Sequence, residues 1–512
     1  MTALTESIAE VVSSAGRRWP DDVALSLGTR NLTYGQLDRA VARLAADLHD
    51  RGLEPGDVVA VMAGTGLEFP VLAYGVLRAG GVLLPISPDS PAREVARLMK
   101  AAQAEMMLCD TENAATAAAG AGIYDQGCGV ITLDASAARQ RGNAHALKKL
   151  IDGKDVPGPL ARIPAGSPAV ILFTSGSTAR PKGVVHSHEG LLKNAQCVAY
   201  EMAGLTRKDV MLGALPLAHS FGLSAVLNTS LLVGARLELI PRFDAGEVWK
   251  AVLTREITVL TGVPTMYRRM AELREASRNS DLRLAIVSGA TCPREVTRDV
   301  HLRLGIPVIE RYGMTEASPL TWRQVADDTP EGDVGWPAWG VRLRAVDEKA
   351  RPLPAGIAGE IEVQSPAMFL RYLSAPDNRE AFDNGWLRTG DLGTVRVDGG
   401  LTLKSRLKEV ILRGGYTISA REVESVIEQH PAVAEAAVVG LPDEDMGEDI
   451  AAMVVLRSGR RAEPAELWRF VGERLATWKR PRRWRVVTEL PRTSLGKVKR
   501  DEIVRSWIES AS

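Results

Sequence analysis

ILFTSGSTARPKGVVHSH, residues 171–188, passes from an apolar run straight into Ser, Thr and Gly and then into Pro181, Lys182 and Gly183. That order predicts a buried strand ending in an anion-binding loop. Small residues such as Gly176 let backbone N–H groups converge on an anion. The hydroxyls of Thr174, Ser175, Ser177 and Thr178 add short donors, and Lys182 supplies a point positive charge. The G-x-x-x-x-G-K-[ST] order of the ordinary nucleotide loop is absent, and the lysine follows a proline instead of opening a helix. A linker shares this composition. A solvated linker, however, has no reason to sit between Val170-Ile171-Leu172-Phe173 and Val184-Val185.

Working outward, strand and helix signals alternate. Leu4, Ile8, Val11, Val12 and Ala15 repeat at helical spacing, and Ala24–Leu27 with Leu32-Thr33 read as short strands about a turn. Thr33 stands where it can cap a helix running from Tyr34 through Leu48. Val58–Met62, Val82–Ile86 and residues 105–109 read as strands, with helices over 68–79 and 91–104 between them. After the loop, helices are expected over 189–203 and 221–232, and strands over 210–215, 237–240, 259–261 and 284–288. This is an α/β chain with parallel strands and crossover helices. Ligands in such sheets sit beyond the carboxyl ends of strands, so Thr174, Gly289 and Tyr312 are candidate walls of one site. Residues 134–168, polar and rich in Gly and Pro, carry no chemistry that can be read.

The length of 512 residues calls for more than one domain. From about residue 334 the texture changes to short strands broken by Gly and Pro, a β-rich subdomain near 334–405. The last hundred residues form a separate small α/β unit. The expected architecture is a large multi-sheet N-terminal domain, 1–407, followed by a small mobile C-terminal α/β domain, 408–512, with the joint at Leu407-Lys408 in the charged SRLKE segment.

Composition bounds the function. Lys plus Arg equals Asp plus Glu at 63 each, so no global field favours nucleic acid or an anionic membrane. Cys109, Cys128, Cys197 and Cys292 are too scattered for a disulfide framework or a metal pair, which suits a cytoplasmic setting. The seven histidines form no ligand set. No run offers the roughly 20 apolar residues needed to cross a bilayer, and the N-terminus lacks the pattern of a secretory signal.

Residues 171–188 taken with YGMTEASP (312–319), RTGD (388–391), RLKEVILRGGYTISAREVE (406–424) and PRTSLGKVKR (491–500) resemble the adenylate-forming enzymes, in particular the acyl- and aryl-CoA ligases. The resemblance runs from LTYGQL at 32–37 to the C-terminal lysine segment. It implies activation of a carboxylic acid with ATP and Mg²⁺ to an acyl-adenylate, then transfer to CoA with release of AMP. Loading of a carrier-protein pantetheine is the alternative, and an idle scaffold a further one.

By that resemblance, residues Thr174 to Lys182 grip the β- and γ-phosphates. Thr315 meets the α-phosphate, and Glu316 with Thr178 holds Mg²⁺. Tyr312 packs along the adenine, and Gly289, Ala290 and Gly313 line its pocket. Asp391 accepts from the ribose hydroxyls and Arg406 approaches ribose or phosphate, although an Asp after Gly is often only a turn residue. Lys408 matches the hinge. Lys497, behind Gly496, bridges carboxylate and α-phosphate. His219 lies by the substrate carboxylate unless it is a core histidine, and His186 and His188 sit beside the loop or at a solvent edge. WKRPRR at 478–483 suits an adenine ring and phosphates through Trp478, Arg480 and Arg482, or is a basic surface patch. The turn at Gly414-Gly415 lets pantetheine pass. Two positions depart from the family pattern: Ala179 and Ser405 stand where it has Gly.

The pocket candidates Phe221, Gly222, Val263, Thr265, Ala290, Thr291, Met314, Ala317 and Ser318 are small or apolar and include no arginine. They point to an aromatic, alicyclic or medium-chain monocarboxylic acid and away from a diacid. Self-association is not readable from the sequence.

Overall fold

The computed structural model describes residues 6–124, 129–134, 144–153, 163–174, 182–272, 281–289, 294–325, 330, 332–407, 410–413, 416–443, 446–475, 477–493 and 496–510. Four sheets organise them. An eight-stranded sheet runs in the order Arg371–Tyr372, Gly183–Ser187, Pro168–Phe173, Val82–Ile86, Val58–Met62, Ala104–Asp110, Gly129–Asp134 and Ala144–Ala146. A nine-stranded sheet runs Trp336–Pro337, Ala317–Gln324, Val308–Met314, Leu284–Val287, Val259–Gly262, Val210–Gly213, Arg236–Leu239, Val23–Leu27 and Arg30–Thr33.

Parallel pairing dominates the centres of both sheets, as in Val58–Met62 against its two neighbours. Such strands are covered on both faces and therefore read as unbroken apolar runs. Between the two sheets lies one continuous apolar core. It takes Val59 and Val61 from the first sheet, Leu212 and Leu237 from the second, and Leu37, Val41, Leu44, Phe69 and Leu72 from the helices Tyr34–Asp50 and Glu68–Arg78. Thr33 caps the first of these helices in a full capping box with Gln36, a local contribution of about 1 kcal/mol. Two buried tyrosines tie layers together: Tyr34 donates to the carbonyl of Ala235 at 2.7 Å and Tyr74 to Asn228 Oδ1 at 2.9 Å. A second apolar cluster fills the far face of the eight-stranded sheet beneath Ala92–Ala102 and Ala114–Tyr124.

The β-rich segment forms the third sheet, Arg342–Val346, Ala358–Gln364, Trp386–Val395 and Phe382–Asp383, with Leu401–Arg406 paired to Trp386–Val395. The fourth sheet, Tyr416–Ser419, Val410–Arg413, Gly447–Leu456 and Val433–Asp443, with Arg483–Val487 parallel to Gly447–Leu456, carries its own apolar clusters on two faces. Among the described residues no helix is long and apolar enough to cross a membrane.

Several elements differ from expectation. The helices expected over 189–203 and 221–232 are composite: His188–Gln196 continues as π-helix over Cys197–Met202, and Phe221–Leu227 is π-helical before Asn228–Val233. Gly222 is held to glycine within the second, since a β-carbon there would stand 2.2 Å from the carbonyl oxygen of Pro216. The strands that flank each loop motif pair antiparallel. Pro168–Phe173 pairs with Gly183–Ser187, and Val308–Met314 with Ala317–Gln324.

Candidate active site

The first hairpin brings its two ends together through Thr174 N–H donating to the Lys182 carbonyl at 3.0 Å. Ser175, Gly176, Ser177, Thr178 and Ala179 lie outside the described residues, as do Ala290, Thr291, Lys408, Gly414 and Gly415. Lys182 Nζ stands 3.1 Å from Asp377 Oδ1 and 5.1 Å from the ring centroid of Tyr372. The Tyr372 hydroxyl donates to Glu316 Oε1 at 2.7 Å, and the Glu316 carbonyl accepts from Phe369 N–H at 2.7 Å. Tyr372 thus joins the cation of one hairpin to the buried carboxylate at the turn of the other. Burial and the Glu316 charge push its phenol up, so it stays a neutral donor.

On the other side of the second hairpin, Tyr312 donates to Asp391 Oδ2, and Arg406 Nε lies 3.0 Å from Asp391 Oδ1. Asp391 and Arg406 are register partners across the third sheet, so Asp391 belongs to a strand and not to a turn. Desolvation first, and Asp391 second, raise the Tyr312 phenol. Ser405 pairs with Leu392 in the same ladder, and its buried hydroxyl has no partner among the described residues. Gly313 and Gly289 are held to glycine by close approach. A β-carbon on Gly313 would lie 2.7 Å from Ser318 Oγ. One on Gly289, at φ +91°, would lie 3.1 Å from a Val263 methyl.

Between these clusters a narrow cleft is lined by His186, Asn194, Ser220, Ser224, Met314, Thr315 and Ser318, with Leu172, Leu191 and Ala367 as apolar walls. His186 hydrogen-bonds the backbone of Thr315, and burial pushes its ring down to about 4. His188 is fully buried and likewise pushed down to about 4. Neither histidine lies at a solvent edge. His219, at the entry to the π-helical segment, is also lowered by burial, against the pull of Asp89.

Lys497 comes from the fourth-sheet unit. Its loop is closed by Thr493 N–H to the Lys497 carbonyl at 2.8 Å and Lys497 N–H to Thr493 Oγ1 at 3.2 Å. Gly496 sits against Thr265, which follows the strand Val259–Gly262, so the structure brings the lysine's loop to this face of the nine-stranded sheet. Trp478 packs on the C-terminal core and its carbonyl accepts from Arg413, Arg480 Nε donates to the Leu475 carbonyl at 2.8 Å, and Arg482 Nε stands 4.0 Å from Asp449.

Three residues escaped the sequence reading. Tyr372 lies on a two-residue edge strand with no periodic signal, and Asp377 opens the short helix Ala375–Ala381. Arg311 lies behind the cleft and not on its lining: its guanidinium bonds to Ser318 of the cleft and lies 5.0 Å from the Phe221 ring. The available signal was the charged doublet Glu310-Arg311 inside an otherwise apolar strand.

Among the described residues no three His, Cys, Asp or Glu side chains gather as a metal site. Glu316 still fits Mg²⁺, which is commonly held by one or two carboxylates together with substrate phosphates.

A profile of the AMP-binding enzymes matches residues 12–373, and one of the AMP-binding enzyme C-terminal domain matches residues 422–497. The chain is 30% identical to a long-chain-fatty-acid–CoA ligase of Bacillus subtilis (strain 168), over 99% of this chain and 95% of that protein. It is 32% identical to a sulfoacetate–CoA ligase of Cupriavidus necator, over 97% of each. The crystal structure of ATP-bound MatB from Rhodopseudomonas palustris superposes with a TM-score of 0.88 at 30% identity, covering 98% of this chain and 99% of that one.

Proposed function

The chain belongs to the AMP-binding enzyme family as an AMP-forming acid–CoA ligase, and from that premise we propose how its residues divide the reaction. The observation that carries the proposal is the docking of the Lys497 loop against Thr265, just past the carboxyl end of the strand Val259–Gly262, which runs parallel in the same sheet to the strand Val308–Met314 that carries Tyr312.

Asp391 receives the ribose hydroxyls on lone pairs left by Tyr312 and Arg406, since a carboxylate offers more acceptor sites than those two donors use. Tyr312 lies along the adenine, with Gly289, Ala290 and Gly313 leaving room for it. Thr174 to Lys182 hold the β- and γ-phosphates, and the Asp377 contact keeps Lys182 aimed. Thr315 meets the α-phosphate. Glu316, oriented by Tyr372, holds Mg²⁺ together with Thr178, and the ion neutralises phosphate charge when bound. Lys497 places its ammonium between the acid's carboxylate and the α-phosphorus, stabilising charge that grows in the transition state. Pyrophosphate leaves, and the acyl-adenylate passes to a thiol. His219 stays neutral beside the substrate carboxylate and adds no competing charge.

We take the thiol to be CoA. Trp478, Arg480 and Arg482, with Gly415, would meet its nucleotide and pantetheine, after the 408–512 domain turns about the 407–408 joint. Transfer to a carrier protein is the alternative. The two relatives act on acids as different as a fatty acid and sulfoacetate, so the acid is chosen by this chain's own cleft. Leu172, Leu191, Met314, Ala367 and Phe221 support a compact apolar body, aromatic, alicyclic or medium-chain. Arg311 lies behind Ser318 of that cleft. Two buried free thiols, Cys109 and Cys197, support a cytoplasmic setting.

The test is an acid-dependent pyrophosphate-release screen, followed by mass measurement of the product with CoA present. A thioester of CoA and one acid class is expected. Adenylate without CoA thioester would favour the carrier-protein reading, and no release with any acid would sink both.

A further inference from the structure

Glu310 and Arg311 are neighbours in the strand Val308–Met314 and both are buried, so their side chains leave opposite faces of the sheet. Their fates differ. Glu310 faces its register partner Arg323, which donates to it from Nη2 at 2.6 Å and Nε at 3.1 Å. Arg311 faces Trp322 in the ladder and meets no carboxylate among the described residues. Its one recorded hydrogen bond goes from Nη2 to the Ser318 hydroxyl, and the Phe221 ring lies 5.0 Å from its guanidinium carbon. Nε and Nη1, which carry most of the guanidinium's donors, are buried without a partner among the described residues.

Nearby groups do not supply the missing charge. Burial pushes the Cys197 thiol up to about 12, so it is neutral, and Glu201 is already engaged by Cys197, Trp322 Nε1 and Trp339 N–H. Arg311 is only 5% exposed, and although burial lowers it to about 10 it remains a cation at neutral pH. An ionised group held in a dry interior without its counter-ion is costly unless something supplies the charge and the acceptors. Ser318, its one partner, opens onto the same narrow cleft as Thr315.

We infer that Arg311 is a specificity-determining residue of the acid site, and that the preferred substrate is a compact acid bearing a second anionic oxygen group, carboxylate or sulfonate, at the end remote from the carboxyl that is adenylated. This rests on the acid–CoA ligase reading. Arg311 stands behind Ser318, which lines the cleft, so the tail oxygens would displace the Ser318 hydroxyl to accept from the guanidinium. Asn194, Ser220 and Ser224 leave the cleft polar enough to admit such a group. A site built to hydrogen-bond a substrate group rejects the analogue that lacks it far more strongly than an apolar pocket rejects a change of size.

The experiment uses shape-matched pairs of acids, each dianionic acid beside its monoamide: malonate and malonamate, succinate and succinamate, terephthalate and 4-carbamoylbenzoate. Acid-dependent pyrophosphate release is measured for the wild-type enzyme, Arg311→Met and Arg311→Lys. In at least one pair the wild type should favour the dianion by about a hundredfold or more in kcat/KM. Arg311→Met should reverse that preference with the KM for ATP unchanged, and Arg311→Lys should keep part of it. Wild-type turnover of the monoamides equal to or better than that of the dianions overturns the inference whatever the variants do. An equal loss on both members of each pair in Arg311→Met also overturns it. Pyrophosphate release with monoamides alone leaves the ligase reading standing while the inference fails, whereas no release with any acid removes both.

Discussion

Gly496 and Thr265 touch across the gap between the C-terminal unit and the nine-stranded sheet: a β-carbon on the glycine would stand 3.2 Å from the threonine hydroxyl, at a backbone φ of +77°. A side chain here is strained by the backbone and crowded by the partner. Gly496→Val should therefore hold the Lys497 loop off its dock. The expected outcome is a loss of about tenfold or more in acid-dependent pyrophosphate release, near the effect of one misplaced catalytic contact. CoA transfer from supplied acyl-adenylate should change little. Lys497→Ala should lose about a thousandfold in the first assay, on the scale of removing one transition-state donor. Equal losses in both half-reactions would separate this dock from the adenylation step.

Tyr372→Phe removes only the hydroxyl that donates to Glu316 at 2.7 Å. A hydrogen bond to a charged group contributes about 1.5–3 kcal/mol. The variant should accordingly lose about ten- to a hundredfold in kcat/KM for ATP, with the deficit eased by raised Mg²⁺. Titrating ATP at several Mg²⁺ concentrations checks this, and an unchanged KM for ATP would show that Glu316 needs no such support.

The same two contacts mark what sequence could and could not deliver. The α/β pattern was legible because apolar runs such as Val58–Met62 and the cap at Thr33 are local signals that the packed structure keeps. Tyr372 was not, because its two-residue strand exists only through pairing with Val184, far away in the chain. Asp391, after a glycine, reads as a turn, yet it lies in a ten-residue strand opposite Arg406. The π-helical turns at Phe221–Leu227 leave no periodic trace, since apolar spacing reports the helix face and not its winding. Arg311 was visible as a charge in an apolar strand, but only the structure shows that its partner is missing among the described residues.

His186 and His188 set a pH dependence of stability. Burial lowers both rings from 6.5 to about 4. Below pH 6.5 the unfolded chain takes up protons that the folded chain refuses, so stability is full above that value and is lost as pH falls toward 4. At 1.36 kcal/mol per unit, each ring accounts for about 3 kcal/mol across the window. Urea midpoints at pH 7.5 and pH 5 should show the fall, and His188→Met should flatten the slope by roughly the share of one ring. A slope identical to wild type would mean that His188 does not titrate differently on unfolding.

Gly222→Ala tests the close passage beneath the acid cleft. Its new methyl would meet the Pro216 carbonyl at 2.2 Å, backbone against backbone, with no flexible side chain to yield. Overpacking of this kind costs about 1–3 kcal/mol and at times more, which a lowered urea midpoint at constant slope would register. An unaltered midpoint would mean that the π-helical turn shifts freely.

Glu435 links the two halves of the site. It accepts from Arg492 Nη2 of the Lys497 loop and lies 3.9 Å from Arg268 Nη1 on the helix Pro264–Glu272, which begins beside Thr265. Arg492 also donates to the Gly496 carbonyl, so one carboxylate steadies both the loop and its dock. Because the pairs are partly exposed, their worth is modest, about 1 kcal/mol or less each, and salt screens them. Glu435→Gln should slow acid-dependent pyrophosphate release by about threefold to tenfold. Thioester formation from supplied adenylate should be unchanged or faster, since that step needs the dock released. In wild type the first rate should fall as NaCl is raised from low to 0.5 M, and in the variant it should not. If the variant keeps the salt response, the screened pair is elsewhere. A variant slowed in both steps would make Glu435 a residue of the C-terminal fold and not of its docking.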